Sequence, residues 1–576
     1  MVIRIPEKNK KFVVDNASFS RGNIYSTFNV MFDADVGRVK LNPPLLKLYS
    51  TSDSADFGRI IAIVTAQKNG GGIDCYVLTD DASGTGTVWS VGTGSLTKLT
   101  GTDSPTTATD STSDMCMAWD TIHVTTTSGL HYVADSSSAG AWTANTNAAF
   151  QAKFIVIFFQ EQNRLYFFNT TSVKSCNSAY AVSSGSYEIT SGLTGISCAR
   201  AASKRIWFAS SGANGAPTSK IYEWDGVATN PLNIFTIETS SIQNIVILND
   251  LPVAIDGRGR LWFYDGYKFV LKDGVNLPVR EDEFGQAFIV HRNGSLAEKS
   301  KIYFLAAAYD VDDPNTSERA LAGIWCYDPA IGLYHFSSPD NNSRITSPYA
   351  LSKYLTDQRL IVGYYGGTVT LGSSNYRIAV TENTVGVEGT LRTGFITTQF
   401  IESKDLTDMF NAIGIKYRKM IYTSAKIEVK YRTWKNLECN TTITWTSTTT
   451  FTCATADLAG TGSLYNTQVV VGDEVMVQQG VNVGTIAHIT TLAVNGATTT
   501  VTIDRAATTS SGTAYAMFSN YTLLKTISYN ATDTFKNIRL AKASTMIQVK
   551  VVMQWKGYYD EVQEILVDGN SQEKTN

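Results

Sequence analysis

Phe154-Ile155-Val156-Ile157-Phe158-Phe159 is an unbroken apolar run, and Leu165-Tyr166-Phe167-Phe168 follows it after a short polar turn. Two runs of this length, rich in β-branched and aromatic residues and separated by polar residues, predict a β-hairpin. Six other parts of the chain offer a similar pair of runs. The hairpin is therefore the unit from which most of the sequence is built.

The seven hairpins recur along the chain at an uneven spacing that averages about fifty residues, which suits a blade of four short strands in a β-propeller. Their first runs begin near residues 59, 121, 153, 204, 245, 301 and 360. Because the repeat is degenerate, five to eight blades fit the sequence. The expected fold class is all-β: a degenerate β-propeller, followed by a β-sandwich that a small inserted β-barrel interrupts.

Several blade strands end in an aromatic residue followed by a turn. The examples are Trp224-Asp225-Gly226, Tyr264-Asp265-Gly266 and Tyr327-Asp328-Pro329. Asp-Gly and Asp-Pro supply turn geometry, and the aromatic rings pack between neighbouring sheets. We interpret these phrases as structural.

The domain boundaries follow from changes in this pattern. Residues 1–50 read as an extended N-terminal arm, since Pro43-Pro44 excludes a helix there. Residues 51–385 form the expected propeller. Residues 390–438 and 519–576 carry longer, strictly alternating strands, which predict a discontinuous β-sandwich whose sheets are wet on one face.

The insertion at residues 440–518 is dense in threonine and almost devoid of lysine and arginine. Three strand-like runs, at 471–477, 484–489 and 499–503, predict a small SH3-like β-barrel. Such a low charge suggests a module that projects and touches a partner, although solvent-facing β-structure explains it equally well.

Bulk composition limits the function classes. The chain has 576 residues with 17% charged residues, 44 glycines and a formal net charge of −3. This charge gives no reason to expect binding to nucleic acid across the surface. No apolar run is long enough to span a bilayer, and the N-terminus lacks a signal-peptide core, so we expect synthesis in a cytosol. Seven widely spaced cysteines with no CxxC pair predict buried free thiols.

Motifs for catalysis are missing from the sequence. The histidines are isolated, with none of the HxxxH, HxH or HExxH spacings; they are His123, His131, His291, His335 and His488. Nucleotide-binding and GxSxG motifs are also absent. We therefore predict no catalytic, cofactor-binding or metal-ligating residues, no cofactor, and a protein that is not an enzyme.

A propeller glycosidase is the enzymatic alternative, because its two carboxylates can come from different blades without a local motif. The candidates lie near strand ends: Glu223, Asp225, Asp256, Asp265, Asp310 and Asp328. Most of these aspartates sit in Asp-Gly or Asp-Pro turns, where turn chemistry explains them. The Asp boxes of sialidases, SxDxGxxW, are missing.

Three parts of the chain resemble tailed-bacteriophage tail proteins, in particular the tail nozzle (tail tubular protein B) family of short-tailed phages. The segment at 25–30 leading to 37–44 is similar to the opening of that family. The blade phrases at 220–226 and 323–329 look like those of phage propeller proteins, and the stretch at 394–418 looks like their post-propeller domain. The threonine-rich insertion and the shorter length depart from the family pattern.

The resemblance implies a structural virion protein: a homo-oligomeric ring, six copies in that family, beneath the portal and adaptor. It would contact tail fibres or other tail proteins and extend the channel through which DNA passes without specific binding during genome ejection. Its location would be the virion tail, after synthesis in the bacterial cytoplasm. The N-terminal arm would then clasp a neighbouring subunit. A carbohydrate- or receptor-binding propeller remains an alternative, since Trp224 and Trp262 could stack on sugars.

Overall fold

The computed structural model describes residues 3–570 with interruptions. The residues left out between these limits are 5–10, 15–23, 29, 34–37, 42–44, 51–56, 68–72, 81–85, 93–94, 106–111, 135–141, 184–186, 190–192, 212–217, 258, 274–286, 291, 310–322, 330, 338–347, 355–358, 366–375, 382–391, 399–400, 403–408, 419, 421–424, 434–437, 460–468, 483, 530–534, 545 and 556–560.

Seven consecutive antiparallel sheets form the blades of a β-propeller. Blades one to four contain β7 Arg59–Gln67, β8 Ile73–Asp80, β9 Gly86–Val91 and β10 Leu96–Leu99; β11 Met115–Ala118, β12 Thr121–Thr125, β13 Leu130–Ala134 and β14 Thr143–Asn145; β15 Ile155–Phe159, β16 Arg164–Phe168 and β17 Val173–Cys176; and β18 Ile196–Ala201, β19 Ile206–Ser210, β20 Ser219–Trp224 and β21 Asn233–Ile237.

Blades five to seven contain β22 Ile242–Leu248, β23 Leu251–Asp256, β24 Leu261–Tyr264 and β25 Phe269–Asp273; β26 Ala287–Ile289, β27 Ser295–Glu298, β28 Lys301–Tyr309, β29 Gly323–Asp328 and β30 Gly332–Ser337; and β31 Pro348–Lys353, β32 Leu360–Tyr365, β33 Tyr376–Thr381 and the N-terminal strand β6 Leu45–Ser50. Short 3-10 turns occur at Ala148–Phe150, Gln160–Gln162 and Ala456–Ala459.

The innermost strands close into a ring. They pack side by side in the order β7, β11, β15, β18, β22, β27, β31 and back to β7. This arrangement confirms the all-β propeller and sets the number of described blades at seven.

Strand β6 precedes blade one in the sequence but belongs to blade seven, and it thereby closes the ring. It pairs antiparallel with β33 and forms the outer strand of blade seven, with Ser50 opposite Arg377. Tyr49 on this strand places its ring 5.2 Å from Phe57 and 5.4 Å from Trp89 of blade one. The last blade is therefore completed by residues that precede the first blade, and it is joined to that blade by aromatic packing.

Two further sheets pack face to face as a sandwich around a shared apolar core. Sheet A contains β1 Ile3–Arg4, β3 Ile24–Phe28, β34 Arg392–Thr398, β35 Ile401–Glu402, β37 Lys426–Thr433, β44 Thr522–Ser528 and β46 Met546–Trp555. Sheet B contains β2 Lys11–Val14, β4 Val30–Asp33, β5 Arg38–Leu41, β36 Met409–Tyr417, β45 Phe535–Ala543 and β47 Glu561–Asn570.

The described strands of residues 1–50 pair within their own chain, which differs from the expected arm on a neighbouring subunit. Strands β1 and β3 extend sheet A beside β35 and β34, and β2 and β5 extend sheet B beside β47. Pro43-Pro44 lies outside the described residues, and the backbone groups of these strands are used in sheet ladders inside the molecule. The described strands of residues 1–50 are thus part of the sandwich and of blade seven.

The threonine-rich insertion forms a closed barrel of six strands. Its strands are β38 Glu438–Trp445, β39 Thr450–Ala454, β40 Glu474–Gly480, β41 Ile486–Asn495, β42 Thr498–Ile503 and β43 Gly512–Ser519. Strand β43 closes it by pairing with β38 on one side and β40 on the other. The three predicted runs correspond to β40, β41 and β42; the SH3-like classification stays a prediction.

In the part of the chain that the structure describes, no helix is long and apolar enough to cross a membrane. All seven cysteines are free, and five of them are buried.

We expect N-terminal truncations to separate the two roles of the first fifty residues. Removing residues 1–44 deletes strands from both sandwich sheets and keeps β6, so the propeller should still unfold cooperatively. Removing residues 1–50 also takes Leu48 and Tyr49 from the core of blade seven, which should lower the stability of the propeller by at least about 3 kcal/mol. Differential scanning calorimetry of both truncations measures this; identical propeller transitions would contradict the role of β6.

Candidate functional sites at the propeller axis and the barrel junction

The carboxylates proposed for a glycosidase are engaged in local structure. Asp225 and Asp265 each accept two backbone N–H groups two and three residues downstream, the hydrogen bonding of a turn. These hydrogen bonds lower the pKa of Asp265. The structural interpretation of the Asp-Gly phrases thus agrees with the geometry.

The remaining candidates are paired. Asp256 is fully buried and accepts from the guanidinium of Arg260 at 2.7 Å and from the indole N–H of Trp262 at 3.1 Å. Asp328 forms an ion pair with Lys301, and Glu223 pairs with Arg205. Asp310 lies outside the described residues. The structure distributes these carboxylates over blades four, five and six and gives each described one a structural partner.

The tryptophans suggested for sugar stacking are buried. Trp224 is 0% exposed and Trp262 is 8% exposed. Trp224 packs edge-on against Tyr166 of blade three, with 5.4 Å between the rings. The side chains of Trp224 and Trp262 thus fill spaces between blades. The expectation that these two tryptophans stack on sugars is therefore wrong.

A two-residue segment, Arg292-Asn293, crosses the inside of the ring of innermost strands. The Asn293 amide donates to the carbonyl of Ile61 in blade one at 3.1 Å and to the carboxylate of Asp114 in blade two at 2.9 Å. Its carbonyl accepts from the N–H of Leu351 in blade seven at 2.9 Å. One side chain and its backbone therefore join three blades.

Arg292 extends the same connection to blades two, three and four. Its guanidinium donates to the carbonyl of Ser113 at 3.1 Å and lies 5.4 Å above the ring of Phe154. Its own carbonyl accepts from the guanidinium of Arg200 at 2.7 Å. Side chains thus fill the centre of the propeller at this level, and the blades are tied together by polar contacts.

Asp114, Arg200, Arg292 and Asn293 together form a group that we call the axial cluster. Asp114 is its anion. It is 4% exposed and accepts from the N–H of Val156 at 3.0 Å as well as from Asn293. Burial raises the pKa of Asp114, and the nearby charges of Arg292 and Arg200 oppose that rise. No sequence pattern indicates this cluster, because its members are far apart along the chain and occur in no motif.

The second polar site lies on sheet A, on the face away from the sandwich core. Alternation along β37 and β46 predicts a wet face, but the barrel covers it, and that expectation is wrong here. Six polar side chains of this face are at most 2% exposed: Glu428, Lys430, Arg432, Gln548, Lys550 and Gln554. Apolar residues of the barrel and the sheet surround them in one cluster, among them Phe395, Met476, Met517 and Val552.

Glu474 of the barrel strand β40 is the centre of this junction. One carboxylate oxygen contacts the ammonium of Lys430, and the other contacts the ammonium of Lys550. Burial by itself would raise the pKa of Glu474, but the two ammonium groups outweigh it and hold the pKa at about 2. The barrel is therefore held on the sandwich by buried charge as well as by apolar packing.

Further contacts orient the two modules. Arg505 of the barrel contacts the carboxylate of Glu428. Arg432 donates to the side-chain oxygen of Gln548 at 2.6 Å and lies 4.4 Å above the ring of Tyr521. Such a network is satisfied in one orientation only, so it fixes how the barrel sits on the sheet.

A third group of polar and aromatic side chains lies between blades two and three. His123 is fully buried, and its Nε2 lies 3.1 Å from the hydroxyl of Tyr180. Tyr180 stacks on Tyr132 with 4.0 Å between the ring centres. Burial lowers the pKa of the His123 imidazole to about 3. Within the described residues, no group of three or more His, Cys, Asp or Glu side chains is placed to hold a metal ion.

Comparisons with known proteins give a fold likeness only. Neither a protein-family model nor a curated protein matches the chain. Among solved structures, BBS1N in complex with ARL6DN is similar over 60% of this chain and 100% of that one, with 12% identity and a TM-score of 0.39. The Neurospora crassa Pan2 WD40 domain is similar over 60% of this chain and 97% of that one, with 10% identity and a TM-score of 0.37.

The computationally designed Ika8 protein is similar over 63% of this chain and 98% of that one, with 10% identity and a TM-score of 0.34. Likeness at this level carries no argument about function. The described residues form an all-β protein with a propeller of seven blades, and that statement depends on their own sheets and the closed order of the innermost strands.

Replacing Asn293 by Ala should weaken the propeller without changing its surface. The substitution removes two side-chain hydrogen bonds and leaves Asp114 with an unsatisfied oxygen, so we expect the free energy of unfolding to fall by about 2–3 kcal/mol. Chemical denaturation measures the loss. Asn233→Ala, which removes an exposed amide bound to Glu223, is the matched control and should be nearly neutral. Equal stabilities of the two variants would argue against the axial connection.

The buried His123 should make the fold sensitive to acid. Its folded pKa lies below the unfolded value of 6.5, so its contribution to stability is complete above pH 6.5 and is lost as the pH falls towards about 3. Each pH unit in this window removes about 1.4 kcal/mol. Denaturation at pH 6.5 and pH 5 should show a loss in the parent chain that is about 2 kcal/mol larger than in His123→Gln.

Tyr180→Phe is the control for this pH dependence. It removes the hydroxyl beside His123 but keeps the buried imidazole, so the acid sensitivity should remain. A parent chain and a His123→Gln variant with the same pH dependence would show that this imidazole is not shielded from water.

Proposed function

We propose that this chain is a structural, non-catalytic subunit of a bacteriophage tail, a nozzle-type ring component beneath the portal and adaptor. The family part of the proposal draws on the resemblance of the segments at 25–30, 37–44, 220–226, 323–329 and 394–418. The described strands of these segments include β3 and β5, strands of blades four and six, and β34 and β36. The resemblance thus spans the sandwich and the propeller together.

One structural observation carries the proposal: strands from the first fifty residues pair with strands of both sandwich sheets and of the last blade. Strand β3 pairs with β34, β5 with β47, and β6 with β33. A subunit of a wall that withstands genome pressure benefits from such pairing, because separating its modules requires breaking whole strand ladders. The buried contacts of Glu474 with Lys430 and Lys550 attach the barrel to the sandwich, which likewise suits a subunit that must resist separation of its modules.

The axial cluster bears on where DNA would pass. Arg292 and Asn293 occupy the centre of the propeller, so the proposed channel is the axis of the ring of subunits and not the axis of the blades. A mildly acidic chain, with a net charge of −3, suits a wall that DNA slides past without being held.

The mass of the chain in solution tests the proposal. Light scattering should give about six copies per particle, alone or after addition of portal and adaptor proteins from the same genome. Electron microscopy of the same sample should show a ring with an open centre. A chain that stays monomeric in every mixture contradicts the tail role and would turn attention to glycan screening.

A further inference from the structure

The junction between barrel and sandwich brings a carboxylate and two amines together in a dry site. Glu474 has each of its oxygens against a different lysine, Lys430 or Lys550. The three side chains are at most 1% exposed. The carboxyl carbon of Glu474 is thus within reach of either nitrogen, with little water to compete.

A second carboxylate adjoins this group. Glu428 is 2% exposed, and its Oε2 lies 3.5 Å from Nζ of Lys430. Its other oxygen contacts Arg505 of the barrel. Lys430 therefore lies between the carboxylates of Glu474 and Glu428.

The junction is rich in positive charge. Five cationic side chains, Lys426, Lys430, Arg432, Arg505 and Lys550, meet the carboxylates of Glu428, Glu474 and Asp504 among the described residues. A buried excess of positive charge is relieved when a lysine gives up its proton. Lys550 is the suited one: burial lowers its pKa, and the positive charges of Lys430 and Arg432 lower it further, against the opposing effect of the Glu474 carboxylate.

We propose that Lys550 and Glu474 form an intramolecular isopeptide bond that joins the sandwich strand β46 to the barrel strand β40. The ammonium of Lys550 passes one proton to the Glu474 carboxylate, and its Nζ, now neutral, attacks the carboxyl carbon so that the N–C bond forms. The bond from that carbon to Oε2 breaks. The leaving oxygen carries away two protons, the one already transferred and a second from Nζ of Lys550, and it departs as water while Lys430 keeps its charge.

The site favours this condensation for two physical reasons. Ions in a dry interior lack the hydration that stabilises separate ammonium and carboxylate groups in water, so a neutral amide is favoured there more than in solution. The ammonium of Lys430, held against the leaving oxygen, offsets the charge that develops on it. Glu428 then stays paired with Arg505, and a buried plus–minus pair has been replaced by an amide.

Intact-mass spectrometry of the denatured full-length chain tests the bond. The expected mass is lower than the sequence mass by one water, and protease digestion should yield a branched peptide that contains residues 474 and 550. A parent chain that is folded by circular dichroism and has the full sequence mass overturns the proposal.

Two lysine variants identify the reacting amine. Lys550→Met should restore the full sequence mass. Lys426→Met is the matched control, because Lys426 is on the same face and approaches Glu428 at 3.9 Å but does not contact Glu474; its chain should still lack one water. Loss of one water that persists in Lys550→Met would assign the dehydration elsewhere and overturn the proposal.

Discussion

The pairing of β6 with β33 is the contact on which the rest of the architecture depends. A propeller is a circle of sheets, and its stability requires that the first and last blades be joined. Here the joint is made by a strand that precedes blade one, laid along the outer edge of blade seven, with Tyr49 packed between the two. Because β6 is fixed there, the strands before it run beside the last strands of the chain and complete the sandwich.

The barrel shows how a polar face can become an interface. Lys430, Lys550 and Glu428 would be ordinary surface residues on an isolated sandwich. Beneath the barrel they are shielded from water, and Glu474 supplies the opposite charge. Buried ion pairs add little net stability compared with apolar packing, but a mispaired one is strongly unfavourable. The charges at the junction therefore determine the orientation of the barrel more than the strength of its attachment.

The sequence predicted the propeller because seven hairpins carry dense apolar and aromatic runs. In blades two, four and six, the predicted pairs are the second and third strands. The innermost strands there are β11, β18 and β27, and they carry shorter apolar runs. Strands at the crowded centre of the propeller include small and polar residues, such as Ala199 and Ser295. The local sequence pattern thus located the blades, but it did not identify the innermost strand of each of these blades.

The polar sites were beyond the reach of local pattern. The alternation along β37 and β46 correctly identifies an apolar and a polar face of the sheet. It does not show whether the polar face is exposed to solvent or covered by the barrel. Asp114 and Asn293 are 179 residues apart and meet only after the ring has closed. The placement of the N-terminal strands has the same cause: Pro43-Pro44 indicates an extended chain, and only the tertiary structure says which edge it joins.

The position of β6 also constrains how the protein is made. Ribosomes release β1 to β6 first, yet their partners β33 to β35 come far later, and β47 is the last of the described strands. At 5–20 residues per second, the earliest strands wait roughly half a minute to two minutes for the last ones. The fold can therefore be completed only after β47 has been translated, and until then its open edges are available to other nascent copies or to a chaperone.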